Sequence, residues 1–242
     1  MLKICIQEGH INNRPGMAAG APGEKELTKR IGDRLASVLR DRGFEVTVTD
    51  SNADLDPNIT KKDWSLLVAL HGDADYANDG GSGFATFPEP STDGATAESQ
   101  RIAKVINETY FPDVKIVFKD RSNANTKFYY LWKFLTASTP CVLVEMGQVQ
   151  DPHDKVLLAN TDLIANALGK SICKAFNVPF DPITPPTPIP PVDPCAEVKK
   201  ELAAIKVQLA TSQAKVQALT FQITRYEEEG FAKIKAIIDN LQ

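Results

Sequence analysis

The chain has 242 residues, of which 43% are hydrophobic and 24% are charged, a composition typical of a globular protein with one core and an appendage. Its net charge is −4 and it contains no basic run, which argues against a nucleic-acid partner. No stretch of about 18 apolar residues occurs, so no membrane span is expected, and the apolar start at residues 1–6 is too short for a signal peptide.

Alternating strand and helix patterns fill the first three quarters of the chain. Apolar or alternating runs predict six strands, at residues 2–7, 44–49, 65–70, 83–87, 114–118 and 141–145. Helical periodicity covers residues 24–42, 96–110, 126–136 and 162–176. We therefore predict an α/β domain over residues 1–177, with a six-stranded, mostly parallel sheet flanked by helices.

Two further segments follow this domain. Residues 178–194 are rich in proline, which predicts a stiff, extended linker, with an SH3-like ligand as the alternative. From Cys195 to Tyr226, apolar residues step alternately by three and four positions, and the pattern resumes one residue late at Phe231. This period predicts an α-helical coiled coil over residues 195–242. Its apolar stripe needs a partner: a second copy, which makes a homo-oligomer, a hairpin with its own C-terminal piece, or a surface.

The cysteines are scattered along the chain. Cys5 and Cys141 fall in predicted core strands, Cys173 falls in an apolar helix, and Cys195 takes the first heptad position. We expect the first three to be buried free thiols. Cys195 of a parallel pair could form an interchain disulfide in an oxidising compartment.

Four residues at the ends of elements suit metal chemistry. His10 and His71 close predicted strands, Glu24 opens the first long helix, and Glu145 ends the last strand. Two imidazoles and a carboxylate form a set that binds Zn²⁺ and leaves a fourth position open, and an open α/β sheet gathers its ligands at strand ends. We predict a zinc site of His10, Glu24 and His71. A structural role for each histidine is the alternative.

Four segments, in chain order, resemble the zinc-dependent N-acetylmuramoyl-L-alanine amidases of the Amidase_3 type, which occur in bacterial cell-wall hydrolases and phage endolysins. They are IQEGH at 6–10, PGEKEL at 22–27, VALHGDA at 68–74 and PCVLVEMG at 140–147. The resemblance covers about residues 1–177. It implies that His10, Glu24 and His71 bind zinc and that Glu145 is catalytic. Glu26 competes with Glu24 as the ligand, and the family register favours Glu24.

The sequence departs from the family at several positions around these segments. His71 is followed by Gly72-Asp73 instead of Ala-Asn, Arg14 lies where a glycine pair and an aspartate are usual, and Ala85 replaces a glutamate on the fourth strand. Residues 148–151 also differ from the family's usual run. We expect these changes to affect recognition of the substrate rather than the chemistry.

The resemblance implies a hydrolase of the amide between N-acetylmuramic acid and L-alanine in peptidoglycan. Zinc would activate water, and Glu145 would pass the proton of that water to the leaving nitrogen. An endolysin of this kind is made in the bacterial host cytoplasm without a signal peptide and acts at the cell wall.

Two other functions stay open at this point. One is an inactive peptidoglycan-binding or structural oligomer. The other is a carboxypeptidase-like zinc peptidase, for which Arg121 is the candidate to bind a terminal carboxylate. His153 has the pattern of a solvated turn residue. Tyr129, Tyr130 and Trp132 could stack on sugar rings, although their spacing favours packing in the core.

Overall fold

The structure is a computed structural model that describes residues 1–15, 17–74, 82–88, 97–120, 126, 129–136, 138–181 and 196–239. The chain divides into two units, Met1–Asp181 and Pro182–Gln242. Most of the proline-rich linker, together with Cys195 and Arg121, lies outside the described residues. The domain boundaries proposed from the sequence therefore stay predictions.

A mixed five-stranded sheet forms the centre of the first unit. Its strands are β1 (Lys3–Glu8), β2 (Glu45–Thr49), β3 (Leu66–Asp73), β4 (Phe84–Thr86) and β5 (Cys141–Gln148). Their order across the sheet is β2-β1-β3-β5-β4. β1 pairs in parallel with β2 and β3, β3 pairs in parallel with β5, and β4 runs antiparallel to β5. With helices on both sides, this is an α/β fold.

The sixth strand predicted at residues 114–118 is not formed. Val114 is instead the last residue of a helix that begins at Ala97, and Lys115 stops this helix in a left-handed conformation, with φ of 65°. Phe118 then makes a single isolated bridge to Gly83. A short apolar run fits a buried helix end as well as it fits a strand, so periodicity alone does not separate the two.

The first helix, α1 (Glu24–Arg40), follows its predicted apolar period closely. Gly23 precedes it with φ of 90° and gives no side-chain cap, and Gly43 follows its end with φ of 82°, a conformation that glycine adopts without strain. The face turned to the sheet buries Leu27, Ile31, Leu35, Val38 and Leu39. Each such side chain stabilises the fold by about 1.5–3 kcal/mol relative to an exposed one.

The other described α-helices of the first unit are α2 (Pro57–Thr60), α3 (Ala97–Val114), α4 (Pro152–Leu158) and α5 (Thr161–Ala175). The sequence did not predict α4, although Asp151 before Pro152 is a helix-start pattern. The Asp151 side chain accepts hydrogen bonds from the backbone N–H groups of His153 and Asp154. In the segment predicted as a helix at residues 126–136, the described residues 129–136 contain a short 3₁₀ helix, Tyr130–Lys133.

Apolar side chains are buried on both faces of the sheet. On β1, Ile4 and Ile6 pack in the larger core with α1, α3 and α5, whereas Cys5 packs in a smaller core with Trp64 and Trp132. Two covered faces explain why the parallel strands have nearly continuous apolar sequences.

The three described cysteines are buried free thiols, as the sequence predicts. Burial raises the pKa of Cys5 to about 12 and that of Cys173 to about 11, and it raises the pKa of Cys141 as well. Because the thiolate is the reactive form, these three side chains have a structural role.

The described part of the second unit is one helix, α6 (Ala196–Asp239), of 44 residues. It continues through Gly230, so the predicted alternative of a hairpin at this point is not formed. Apolar residues at heptad positions are each more than half exposed, namely Leu209, Val216, Leu219, Ile223 and Tyr226. Among the described helices, none is both long enough and apolar enough to cross a membrane.

Candidate active site

Three residues that are distant in sequence meet at the carboxyl edge of the sheet. His10 follows β1, His71 lies in β3, and Glu24 is the first residue of α1. Nε2 of His10 lies 3.1 Å from Oε1 of Glu24, and Nδ1 of His71 lies 3.0 Å from the same oxygen. One donor atom from each residue lies within 4.8 Å of the other two. The side chains proposed as zinc ligands therefore form one cluster.

Two glycines allow the backbone to approach these rings closely. A Cβ atom at Gly9 would lie 2.6 Å from Cε1 of His71, and one at Gly20 would lie 2.7 Å from the ring of His10. Gly20 also has φ of 80°. His10 itself has φ of 62°, a conformation uncommon outside glycine and often found at functional sites.

The Glu24 carboxylate is held in its ionised form. Burial opposes this ionisation, but hydrogen bonds with His10 and His71 outweigh it and hold the pKa of Glu24 well below its usual range. The backbone N–H groups of Ala21 and Gly72 also donate to this carboxylate, at 2.8 and 3.1 Å. Burial lowers the pKa of His10, yet the hydrogen bond with Glu24 leaves it raised. The cluster thus contains an anionic oxygen beside two imidazole nitrogens.

The ring nitrogens that point away from the cluster also have oxygen partners. Nδ1 of His10 lies 3.0 Å from the carbonyl oxygen of Ala18, and Nε2 of His71 lies 3.3 Å from the hydroxyl oxygen of Tyr129. That hydroxyl in turn donates to Oε1 of the buried Gln7 at 3.3 Å. Partners of this kind fix the tautomer and orientation of metal-binding histidines. Both rings are therefore set to present their inner nitrogens.

Glu145 lies beside the cluster on the neighbouring strand. In the parallel pairing of β3 with β5, Glu145 is directly opposite His71, and the register then shifts between His71 and Asp73. Burial, Tyr130 and Glu145 together hold the pKa of Tyr129 well above its ordinary value. Glu145 is not one of the three clustered donors, so a carboxylate separate from the proposed ligands lies next to them.

A cavity of about 540 Å³ opens beside the two histidines. Its lining residues are His10, Asn13, Arg14, Met17, Ala18, Ser51, His71, Tyr129, Tyr130, Lys133 and Phe134. Small-molecule sites commonly have volumes of about 300–1,000 Å³, so the space suits a fragment of a larger substrate.

The other residues considered from the sequence lie partly in the cavity and partly outside it. Trp132 is fully buried in the smaller core, whereas Tyr129 and Tyr130 line the cavity. Glu26 is exposed on α1, while Glu24 is buried against the histidines. His153 lies in the first turn of α4 beside Asp154. Although Asp151, His153 and Asp154 also cluster, both carboxylates accept hydrogen bonds from backbone N–H groups.

The family departures have ordinary structural surroundings. Asp73 accepts a hydrogen bond from the N–H of Ala74, and Ala85 is buried in the larger core with its backbone bonded to the side chain of Asn107. Arg14, in contrast, lines the cavity.

The sequence did not indicate that Gln7, Ala18 and Tyr129 orient the two histidines. Gln7 gave a signal, because it is a polar residue inside an apolar strand. Ala18 acts through its backbone carbonyl, which the residue type does not reveal.

The sequence and the fold are both similar to those of known proteins. The sequence profile of Amidase_3, described as N-acetylmuramoyl-L-alanine amidase, matches residues 4–177. The chain belongs to this family. It is therefore an enzyme of the N-acetylmuramoyl-L-alanine amidase class, and its sheet and cluster lie within the matched part. No curated protein matches the amidase in sequence.

Solved structures share the fold of this amidase. AmiC2 of Nostoc punctiforme, an N-acetylmuramoyl-L-alanine amidase, is 20% identical, with 73% of this chain and 97% of that chain covered and a TM-score of 0.55. Ami1 of Mycobacterium smegmatis is 16% identical, with coverage of 73% and 97% and a TM-score of 0.59. The catalytic domain of the CD27L endolysin, which targets Clostridia difficile, is 16% identical, with coverage of 75% and 100% and a TM-score of 0.54. At these identities the likeness shows the fold alone.

Proposed function

We propose that the chain hydrolyses the amide bond between N-acetylmuramic acid and L-alanine of the peptidoglycan stem peptide. Zinc would be bound by His10, Glu24 and His71, and Glu145 would transfer the proton. The observation that carries the proposal is the convergence of three donor atoms whose outer partners already orient both imidazoles.

The donor set fits zinc in chemistry and in size. Zinc binds histidine nitrogens and carboxylate oxygens at about 2.0–2.2 Å in a tetrahedron, which separates neighbouring ligand atoms by about 3.3 Å. The distances of 3.1 and 3.0 Å from Glu24 Oε1 to the two nitrogens are close to this value. Three protein ligands leave the fourth position for water or substrate, as in catalytic zinc sites.

Each residue of the site would have a distinct role in the proposed hydrolysis. Bound zinc would lower the pKa of a water molecule from about 15.7 toward 7 and polarise the scissile carbonyl. The Glu145 carboxylate accepts the proton of the attacking water on one of its oxygens and then donates that proton to the leaving L-alanine nitrogen. Ala18 and Tyr129 hold the histidines in place, and the cavity beside the two histidines receives the substrate.

The Tyr129 hydroxyl should contribute to metal affinity without touching the metal. We expect Tyr129→Phe to weaken zinc binding by about 10–100-fold, because His71 loses the partner that orients its ring. Competition with a chromophoric chelator measures the affinity.

Tyr226→Phe is the matched control for this variant. Tyr226 is exposed on α6 and does not line the cavity, so the control should keep the zinc affinity of the wild type. Equal affinities for the two variants would show that Tyr129 does not position His71.

The proposed reaction is tested by mass spectrometry of fragments released from purified peptidoglycan. Chelator-treated and zinc-restored protein are compared. Stem peptides with a free L-alanine amino terminus, released only with zinc, are the expected result. Peptides still attached to glycan but cut elsewhere would mean a different hydrolase, and no release despite bound zinc would favour a binding or structural protein.

We further propose that the chain acts as an endolysin-like homo-oligomer assembled through residues 195–242. Support comes from the heptad pattern of α6 and from its exposed apolar side chains, which need a partner to become buried. Assembly would cluster several catalytic domains on one wall surface and raise avidity. Sedimentation of the full chain tests this part, since a monomer at micromolar concentration would contradict it.

A further inference from the structure

The cavity beside the histidines has a cationic side that the proposed chemistry does not use. Arg14 and Lys133 line it, and none of its described lining residues is an aspartate or a glutamate. This local charge contrasts with the net charge of −4 for the chain. The cavity therefore favours an anionic group on the substrate.

Arg14 is fixed with its guanidinium toward the open side. Its Nη1 and Nη2 atoms each donate to a different carboxylate oxygen of Asp54 at 2.7 Å. The Asp54 side chain is only 2% exposed, whereas that of Arg14 is 35% exposed. An incoming ligand therefore meets the guanidinium, and the carboxylate lies behind it.

The bond to Asp54 leaves donors for a ligand. A guanidinium carries five N–H donors in a planar fork, and Asp54 engages only two of its nitrogens. Because the side chain is already ordered, binding an anion costs less conformational entropy than ordering a mobile arginine would. Lys133 is exposed and forms no ion pair with a described acidic residue, so its charge adds to that of the guanidinium.

Aromatic rings complete this side of the cavity. The Arg14 guanidinium lies 5.9 Å from the centroid of the Tyr130 ring, and the Tyr130 hydroxyl is anchored on Ser51. Phe134 is half exposed and lines the same space. An apolar wall beside fixed cations suits a peptide backbone that carries a carboxylate.

The substrate carries such a group close to the bond that is cut. The lactyl side of the scissile amide is uncharged, because its carboxyl group forms the amide. On the peptide side, L-alanine is followed by a glutamate residue whose α-carboxylate is free in some walls and amidated in others. A peptide residue spans about 3.3–3.6 Å, so the carboxylate of this second residue lies within about 7 Å of the bond that is cut. The same cavity is lined by His10, His71 and Arg14.

We propose that Arg14 and Lys133 bind the free α-carboxylate of the residue after L-alanine, so that the enzyme prefers stem peptides in which this group is not amidated. The inference rests on the proposed amidase function and specifies part of its substrate. It also gives a role to Arg14, which lies where the family usually has other residues.

Two measurements with matched ligands test the preference. Calorimetry compares L-alanyl-D-glutamyl and L-alanyl-D-isoglutaminyl peptides of equal length, which differ only in carboxylate against carboxamide. Kinetics compares kcat/KM for the corresponding N-acetylmuramoyl peptides. We expect the carboxylate form to bind at least about tenfold more tightly and to be cleaved with a correspondingly higher kcat/KM, since hydrogen bonds between charged groups exceed neutral ones by about this amount.

Variants assign the preference to the two side chains. Lys133→Ala should reduce the ratio of carboxylate to carboxamide affinity about threefold. The pair Arg14→Met with Asp54→Asn should lower it to about three, the share left to Lys133, without leaving the buried Asp54 charge unpaired. Lys61→Ala removes an exposed lysine that does not line the cavity and should keep the wild-type ratio.

The outcomes separate this inference from the function on which it rests. Equal binding of the two peptides by the wild type would overturn the inference, as would variants that weaken both ligands equally. Preferential binding of the carboxylate without cleavage of either muramoyl peptide would support the inference and contradict the proposed amidase reaction.

Discussion

Glu145→Gln should lower kcat on peptidoglycan by about 10²–10⁴-fold, the usual contribution of a positioned general acid–base, while the protein still binds one zinc ion. Glutamine has nearly the same shape as glutamate but does not accept a proton at neutral pH. Glu145 is not among the three clustered donor atoms, so the metal should be retained. Release of stem peptides and the zinc content of the same sample provide the two measurements.

Glu26→Gln is the isosteric control for this variant. Glu26 is exposed on α1 and is not one of the clustered donors, so its replacement should leave both measurements unchanged. If Glu145→Gln lost zinc, Glu145 would be a ligand. If it released stem peptides at the wild-type rate, Glu145 would not transfer the proton, and no release by either protein would favour the inactive binding protein.

The strands around the site are predictable because they are buried on both faces. β1, β3 and β5 therefore consist largely of apolar residues, and the sequence places each within a few positions of its observed range. Residues 114–118 have the same composition but lie at the end of α3, where Val114 and Ile116 reach the core from a helix and the loop after it. An apolar composition indicates that a segment is buried, but it does not indicate whether a strand or a helix buries it.

The proposed ligands are predictable to a similar extent, because position in the fold determines them. His10, His71 and Glu24 stand at the ends of predictable elements, and the carboxyl ends of neighbouring parallel strands meet at one edge. The contact between Tyr129 and Gln7 joins residues 122 positions apart and depends on how a short 3₁₀ segment packs. Tyr129 and Trp132 have similar sequence surroundings, yet one lines the cavity and the other fills the core.

The carboxypeptidase-like alternative depended on Arg121, which lies outside the described residues. Membership of the Amidase_3 family favours cleavage of the muramoyl amide instead. The cationic pair of Arg14 and Lys133 does not restore the alternative, because a carboxypeptidase recognises the end of a peptide. The glutamate carboxylate proposed here lies within the chain, and a peptide extended beyond this residue would distinguish the two.

Glu24→Gln should weaken zinc binding by about 10²–10³-fold and abolish activity. Zinc binding by four ligands yields about 10–16 kcal/mol in total, or about 2.5–4 kcal/mol for each ligand, and each 1.4 kcal/mol corresponds to a factor of about ten. The charge is also lost: the carboxylate that His10 and His71 keep ionised becomes a neutral amide. Chelator competition measures the affinity, with Glu26→Gln again as the control.

Thermal unfolding gives the same variant a readout that does not depend on turnover. At a zinc concentration of about 1,000 times Kd, binding stabilises the wild type by about 4 kcal/mol, which raises Tm by about 10 °C for a domain of this size. At the same concentration, zinc should stabilise Glu24→Gln by no more than about 1.4 kcal/mol, so most of the rise in Tm disappears. A full rise in Tm with Glu24→Gln would mean that the ion binds elsewhere, because His10 and His71 alone do not supply the missing charge. A loss confined to Glu24→Gln would assign the metal to the cluster at the carboxyl edge of the sheet.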